Sequence, residues 1–324
     1  MPCPWLDEQN AANVLKHGGV VAIPTETVYG LAGNAFDSKA LAKIFEAKNR
    51  PTFDPLILHI ASVGDLSLLA KNVPEKAKKL AEKFWPGPLT MVLPKKEEVP
   101  DLATSGLLTV AVRFPLHKKA QEIIKLAGVP LAAPSANLFK HISPTTANHV
   151  YEQLKDRIDG IVDGGACSVG VESTIVSFAN ETPELLRPGA ITLEMLESVI
   201  GKVIYKKSTS APGKAALAPG MLDTHYKPNV PLFYGVLPEG IKLPERTVRI
   251  AFGNQKNQIP ETLNLSRTGN FVEATANLYA YMHLLDLPEN KLILVDPIPK
   301  TGLGLALNDR LSRASLKDFS ALNS

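Results

Sequence analysis

Residues 23–60 read IPTETVYGLAGNAFDSKALAKIFEAKNRPTFDPLILHI. The stretch continues an apolar run over residues 20–24, which predicts a buried strand. A turn of small and hydroxyl-bearing residues follows, with Thr25, Glu26, Thr27, Tyr29, Gly30 and Gly33. A helix comes next, with Ser38 as its N-cap and Leu41, Ile44 and Phe45 on one face. It stops into Lys48-Asn49-Arg50-Pro51, because Pro51 pushes Arg50 out of helical geometry. An extended segment from Lys48 puts Lys48 and Arg50 on one side, since side chains alternate with period two. A point cation beside a forked one suits phosphate oxygens. Taken alone, the pair reads first as solvated cations at a helix C-terminus, where the dipole favours them. A second strand over residues 56–60 re-enters the core.

Working outward, 324 residues leave room for two domains. A 45% hydrophobic and 21% charged composition is that of an ordinary globular protein, so fibrous and disordered classes drop out. The net charge of +3 permits an anionic substrate or transient RNA contact but is no nucleic-acid signature. Cys3 and Cys167 make neither a metal spacing nor a disulfide framework, and reduced thiols are the simplest reading. No apolar run approaches a membrane span, and residues 1–10 lack a basic-then-apolar leader. The expected location is the cytoplasm.

A helix over residues 7–17, capped by Asp7, precedes the opening stretch. After it, helices are expected at 63–70, 75–84, 116–126, 145–154 and 191–200. Strands are expected at 89–93, 108–113, 129–133, 160–163, 171–178, 184–186 and 202–206. The order has no strict alternation, which favours a mixed, twisted sheet with helices packed on it. Residues 207–229 have linker composition but carry Met221, His225 and Tyr226, which a plain tether does not need. A small α/β unit over 230–324 is expected from strands at 231–236, 247–252 and 292–297, a helix at 272–285 and a last helix from about Leu307. The expected division is 1–206, 207–229 and 230–324.

Several chemistries are excluded by their motifs. There is no P-loop, no dinucleotide loop at Gly302-Leu303-Gly304 and no H-E-x-x-H. Ala166-Cys167-Ser168-Val169-Gly170 leads into a strand and so fails the nucleophile-elbow context. What remains is a density of small polar residues at strand ends: Thr25 and Thr27, Thr109, Ser135 and Asn137, Ser143 and Thr145, and Glu172, Ser173 and Thr174. Each alone reads as a cap or a turn. Together with Lys48, Arg50, Arg113 and Arg187, they suit a ligand with several anionic oxygens. His59 reads as either a buried structural histidine or a carboxylate partner.

In order, PTETVYGLA, KNRP followed by DPLILHI, TVAVRFP, APSAN, SPT, VESTIV and LRPGAIT resemble the YrdC-type threonylcarbamoyl-AMP synthases. Lys48-x-Arg50 and Ser135-x-Asn137 match that family's paired K-x-R and S-x-N motif. APGMLDTHYKP and GLGLALNDRLSRAS resemble its long, two-domain members. The resemblance implies a YrdC-like twisted mixed α/β sheet around a deep cavity, plus a smaller Rossmann-like α/β domain. It implies a nucleotidyltransferase joining L-threonine, bicarbonate and ATP into threonylcarbamoyl-AMP and pyrophosphate, the first step of tRNA threonylcarbamoyladenosine modification. By motif, Lys48, Arg50, Ser135 and Asn137 are the catalytic set. Threonine falls to Thr27, His59, Arg113, Ala133 and Ser173. ATP falls to Arg50, Asp54, Thr109, Ser135, Ser143 and Arg187, with His225 or Tyr226 from a linker that closes over the nucleotide. Mg2+ is expected on the ATP phosphates, with a downstream threonylcarbamoyl transferase and transient tRNA contact as partners. Asp54 stands where the family usually has Asn, and residues 138–141 replace a loop usually containing Ser-Gly. Two other readings stay open here: an RNA- or tRNA-binding module without catalysis, and a carbamoyltransferase.

Overall fold

The computed structural model describes residues 3–205, 225–237, 241–254, 259–260 and 262–316. Most of the 207–229 linker, with Met221, lies outside the described residues.

Helix α1 (Glu8–Lys16) is capped as expected, the Asp7 carboxylate accepting from the Asn10 amide. Strands β1 (Val21–Ile23) and β2 (Gly30–Asn34) follow, then α2 (Ser38–Lys48). The N-cap of α2 is Asp37 rather than Ser38: the Asp37 carboxylate accepts from the Lys39 amide at 2.8 Å. Lys48 is the last helical residue and Asn49 takes the left-handed conformation, φ 51°. The expected extended run from Lys48 is therefore absent; the left-handed turn at Asn49, not alternation, separates Lys48 from Arg50.

The remaining elements of this part are β3 (Ile57–His59), α3 (Leu66–Leu69), α4 (Glu75–Phe84), β4 (Leu89–Pro94), α5 (Asp101–Thr104) and β5 (Thr109–Arg113). They continue with α6 (Lys118–Ala127), β6 (Leu131–Ala132), α7 (Ala147–Leu154), β7 (Gly160–Ile161), β8 (Thr174–Ser177), β9 (Glu184–Arg187), α8 (Leu193–Ile200) and β10 (Ile204–Tyr205). The ten strands form one sheet in the order β10-β9-β8-β4-β5-β3-β6-β2-β1-β7. It is mixed: β3–β5, β4–β8, β1–β7 and β9–β10 are parallel, and the other neighbours are antiparallel.

Strand β2 has no sequence signal, because GLAGN lacks the branched residues that mark strands. Its glycines are there for close packing. A Cβ on Gly33 would sit 3.0 Å from Ile44 Cδ1 of α2, and one on Gly30 3.1 Å from the Ala133 Cβ.

A second sheet has the order β11-β14-β12-β13 and is wholly parallel. Its elements are β11 (Leu232–Tyr234), β12 (Thr247–Ala251), β13 (Leu263–Asn264), α9 (Phe271–Leu285), β14 (Leu292–Val295) and α10 (Gly304–Ala314). Helix α10 starts earlier than the expected Leu307. Leu278, Met282, Leu307 and Leu311 pack on Ile293 and Val295, and the same apolar cluster takes in Val28, Ile142 and Val171 of the first part. At Gly170 the α9 backbone leaves no room for a side chain: a Cβ would lie 2.5 Å from the Thr275 carbonyl oxygen. The second sheet's helices are thus seated on the face of the first part that carries the candidate site.

Candidate active site

One pocket gathers the ends of β3, β5, β6 and β8 with the loop after β1. Its walls include Thr25, Thr27, Arg50, His59, Arg113, Ala133, Ser135, Glu172, Ser173, Arg187, His225 and Tyr226.

The inner wall is built on sheet register. β3 and β5 pair in parallel with His59 opposite Arg113. The Arg113 guanidinium donates to Thr27 Oγ1 at 2.8 Å and meets Glu26 Oε1 at 2.7 Å. Glu26 Oε2 in turn accepts from the Leu116 amide at 3.1 Å. Thr25 Oγ1 sits 2.9 Å from Thr27 Oγ1 and donates to the Val28 carbonyl at 2.6 Å, pinning the turn. Burial, with Arg113 alongside, pulls His59 down to about 3, so it is a neutral imidazole at physiological pH.

The outer wall is a network of charges. Arg187 Nη2 donates to Ser173 Oγ at 3.2 Å, and Ser173 Oγ lies 2.7 Å from Thr90 Oγ1. The Glu172 carboxylate accepts from Ser143 Oγ at 2.5 Å, from the Tyr279 hydroxyl at 3.0 Å and from Arg310 Nε at 2.8 Å. Burial pushes Glu172 upward, but Arg310 and Arg187 outweigh that and bring it down to about 2.

Lys48 and Arg50 do different jobs. Lys48, 1% exposed, donates to the Ser135 and Asn137 carbonyl oxygens at 2.5 and 2.6 Å, so its ammonium shapes the 135–137 loop from beneath. Burial, aided by Arg50, holds its pKa well below the usual lysine value. Arg50 lines the pocket, meeting Asp54 Oδ2 at 3.0 Å and donating to the Asp54 and Pro55 carbonyl oxygens.

All five residues expected at threonine reach the pocket wall, as do Arg50, Ser135, Arg187, His225 and Tyr226. Lys48, Asp54, Asn137 and Ser143 stand behind it. Asn137 Nδ2 is turned to the Leu138 and His141 carbonyls, and Ser143 to Glu172. Thr109 opens β5 at the end away from Arg113 and pairs with Pro94, so it does not line the pocket. The assignments missed Thr25, Glu26 and Glu172 and, from the second part, Tyr279 and Arg310. One signal was available for Arg310: it lies on the stripe of Leu307, Leu311 and Ala314, where a charge calls for a buried partner.

His225 and Tyr226, both buried, complete the pocket lining from the end of the linker. Tyr226 is 1% exposed at φ 63°, a left-handed conformation unusual for a tyrosine, with the Arg310 guanidinium 5.6 Å from its ring centroid. Burial dominates in taking His225 down to about 3, with Arg50, Lys48 and Arg187 adding to it against Glu172. With this pair in place, the pocket retains about 40 Å³.

Residues 13–189 match the Sua5/YciO/YrdC family, described as "Telomere recombination", and residues 191–315 match the threonylcarbamoyl-AMP synthase C-terminal domain. A threonylcarbamoyl-AMP synthase of Pyrococcus abyssi is 43% identical over 94% of this chain and 93% of its own length. One of Bacillus subtilis is 43% identical over 94% and 92%. The crystal structure of P. abyssi Sua5 complexed with L-threonine superposes with a TM-score of 0.87, covering 95% of this chain and 94% of that one at 40% identity. With both parts matched and the relatives covered almost end to end, the chain belongs to the Sua5/YrdC family of threonylcarbamoyl-AMP synthases.

Proposed function

We propose that this enzyme forms L-threonylcarbamoyl-AMP and pyrophosphate from L-threonine, bicarbonate and ATP in the cytoplasm. The product would feed a transferase that modifies tRNA, with transient tRNA contact. The observation that carries the reading is one pocket with two chemistries. Arg113, Thr27 and the neutral His59 form a polar corner, and the cations Arg50 and Arg187 with Ser135 line the same pocket. The P. abyssi relative was solved with L-threonine, which suits that corner.

In the proposed sequence, Arg113 holds the threonine carboxylate, oriented by Glu26. The threonine amine joins bicarbonate as a carbamate with loss of water. A carbamate oxygen attacks the α-phosphorus of ATP, and the bond to pyrophosphate breaks. Such a reaction asks the protein for positioning and charge stabilisation more than for a resident general base. Buried, neutral His59 and the cations Arg50 and Arg187 fit that demand.

Among the described residues no group of three or more His, Cys, Asp or Glu forms a metal cage. Glu172, the one carboxylate on the wall, is saturated by Ser143, Tyr279 and Arg310. The fitting arrangement is Mg2+ carried in on the ATP phosphates, which is common for this ion.

Small-molecule sites usually offer roughly 300–1,000 Å³. The 40 Å³ left here is too small for ATP, so we infer that His225 and Tyr226 withdraw for entry and return to exclude water. The catalytic unit is then residues 1–206, with 207–229 as the lid and 230–324 as the second domain.

The test is pyrophosphate release from ATP with threonine and bicarbonate omitted in turn. Dependence on both supports the reading. Turnover of carbamoyl phosphate instead would make the protein a carbamoyltransferase. Salt-sensitive RNA binding with no threonine-dependent turnover would make it a binding module.

A further inference from the structure

Arg310 belongs to α10, in the part of the chain that holds none of the residues assigned to substrate within the first sheet. It is nevertheless 1% exposed and makes its principal bonds on the pocket's outer wall. Nε donates to Glu172 Oε2 at 2.8 Å, Nη1 to the Pro188 carbonyl at 2.8 Å and Nη2 to the Glu172 carbonyl at 3.4 Å. Asp309 Oδ2, 2.8 Å from Nη1, orients the guanidinium from its own helix. Tyr279 of α9 adds its hydroxyl to both Glu172 oxygens, at 3.2 and 3.0 Å.

The two backbone segments that Arg310 ties together carry the wall's functional side chains. Glu172 precedes Ser173, Pro188 follows Arg187, and Ser143 donates to the Glu172 carboxylate. Their approach is close: a Cβ on Gly189 would lie 2.8 Å from the Glu172 carbonyl oxygen. One guanidinium therefore ties these two segments together, beside the direct Arg187–Ser173 hydrogen bonds and the β8–β9 pairing, and holds the acceptor of Ser143. Without it, Glu172 would be a buried carboxylate hydrogen-bonded only by hydroxyls and offset only by the more distant charge of Arg187, a costly state that invites rearrangement.

We propose that Arg310 and Tyr279 are positioning residues for the synthase, holding Glu172 and the 172–173 and 187–188 segments so that Arg187 faces the nucleotide and Ser173 keeps its place on the pocket wall, although neither Arg310 nor Tyr279 touches substrate. The inference rests on the proposed synthase reading. Its experiment is a double-mutant cycle on the full chain, with Arg310→Met, Glu172→Gln, Tyr279→Phe and Glu172→Gln/Arg310→Met assayed by threonine-dependent pyrophosphate release. Arg310→Met should raise KM for ATP by about tenfold or more, and Tyr279→Phe, which keeps its shape, by roughly threefold. Melting temperatures report folding separately. The paired variant should lose no more than Arg310→Met alone, because the second change removes a charge already stranded. If Tyr279→Phe and folded Arg310→Met keep the wild-type KM for ATP, or if the single losses multiply in the pair, the inference is overturned. A wild-type chain without threonine-dependent turnover would overturn the synthase reading instead.

Discussion

The two walls of the pocket are held by the same device placed differently. On the inner wall an arginine lines the pocket with a buried carboxylate behind it, Arg113 on Glu26, and both come from the first sheet and its loops. On the outer wall the polarity is reversed. The carboxylate Glu172 lies at the pocket and the arginine behind it, Arg310, comes from the second domain. The inner wall is complete once the ten-stranded sheet forms. The outer wall is complete only when α9 and α10 dock. On the proposed reading, recognition of the amino acid is built into one folding unit, and recognition of the nucleotide is shared between two.

The largest effect should come from breaking the inner wall. Arg113→Met removes the proposed carboxylate contact and strands Glu26, a loss of about 3–5 kcal/mol for a buried pair. Threonine KM should rise by a hundredfold or more, read in the pyrophosphate assay with ATP saturating. An unchanged threonine KM in a folded variant would place the carboxylate elsewhere.

Arg50→Ala comes next, and its outcome is mixed. The arginine lines the pocket, yet it also neutralises Asp54, whose own pKa is raised by burial against the pull of Arg50. The substitution should therefore weaken ATP binding and lower unfolding free energy together, each by a few kcal/mol. Adding Asp54→Asn should recover stability but not ATP affinity. Recovery of both would make Arg50 structural only.

A smaller effect separates the walls by pH. His59 on the inner wall and His225 from the linker's end are both held near 3 by burial. Their unfolded values lie near 6.5, so below that pH the unfolded chain binds protons that the folded chain refuses. Stability should be complete above about pH 6.5 and fall as pH drops towards 4, by up to about 1.4 kcal/mol per pH unit for each histidine. Glu172, held near 2, adds a further loss from about pH 4.5 downward. Denaturant midpoints at pH 7.5, 5.5 and 4.5 measure this, and a flat profile between 7.5 and 5.5 would contradict the neutral, buried histidines.

The sequence made the inner wall legible because its residues stand in short local motifs at strand ends. Thr27, His59, Arg113 and Ala133 were reached through the family motifs they stand in, which fall on or just beyond strands β1, β3, β5 and β6. The geometry of Lys48 was misread because Pro51 was given the helix break that the left-handed Asn49 makes. β2 was missed because its small residues serve packing against Ile44 and Ala133, which only the folded chain reveals. Arg310 and Tyr279 stayed hidden for a stronger reason. Their partner Glu172 is 138 and 107 positions away, and no local pattern encodes so distant a pair. Ser143 was assigned to the nucleotide by motif, whereas in the fold it stands behind the pocket wall and donates to Glu172, a contact composition cannot show.

The most direct test of the two-wall account is a pair of calorimetric titrations on one variant, Arg310→Met, with threonine and with ATP separately. Threonine affinity should change by less than about threefold, since only Ser173 of its assigned contacts depends on Arg310, and ATP affinity should fall by about tenfold or more. Equal losses for both ligands, or no loss for either in a folded protein, would contradict it.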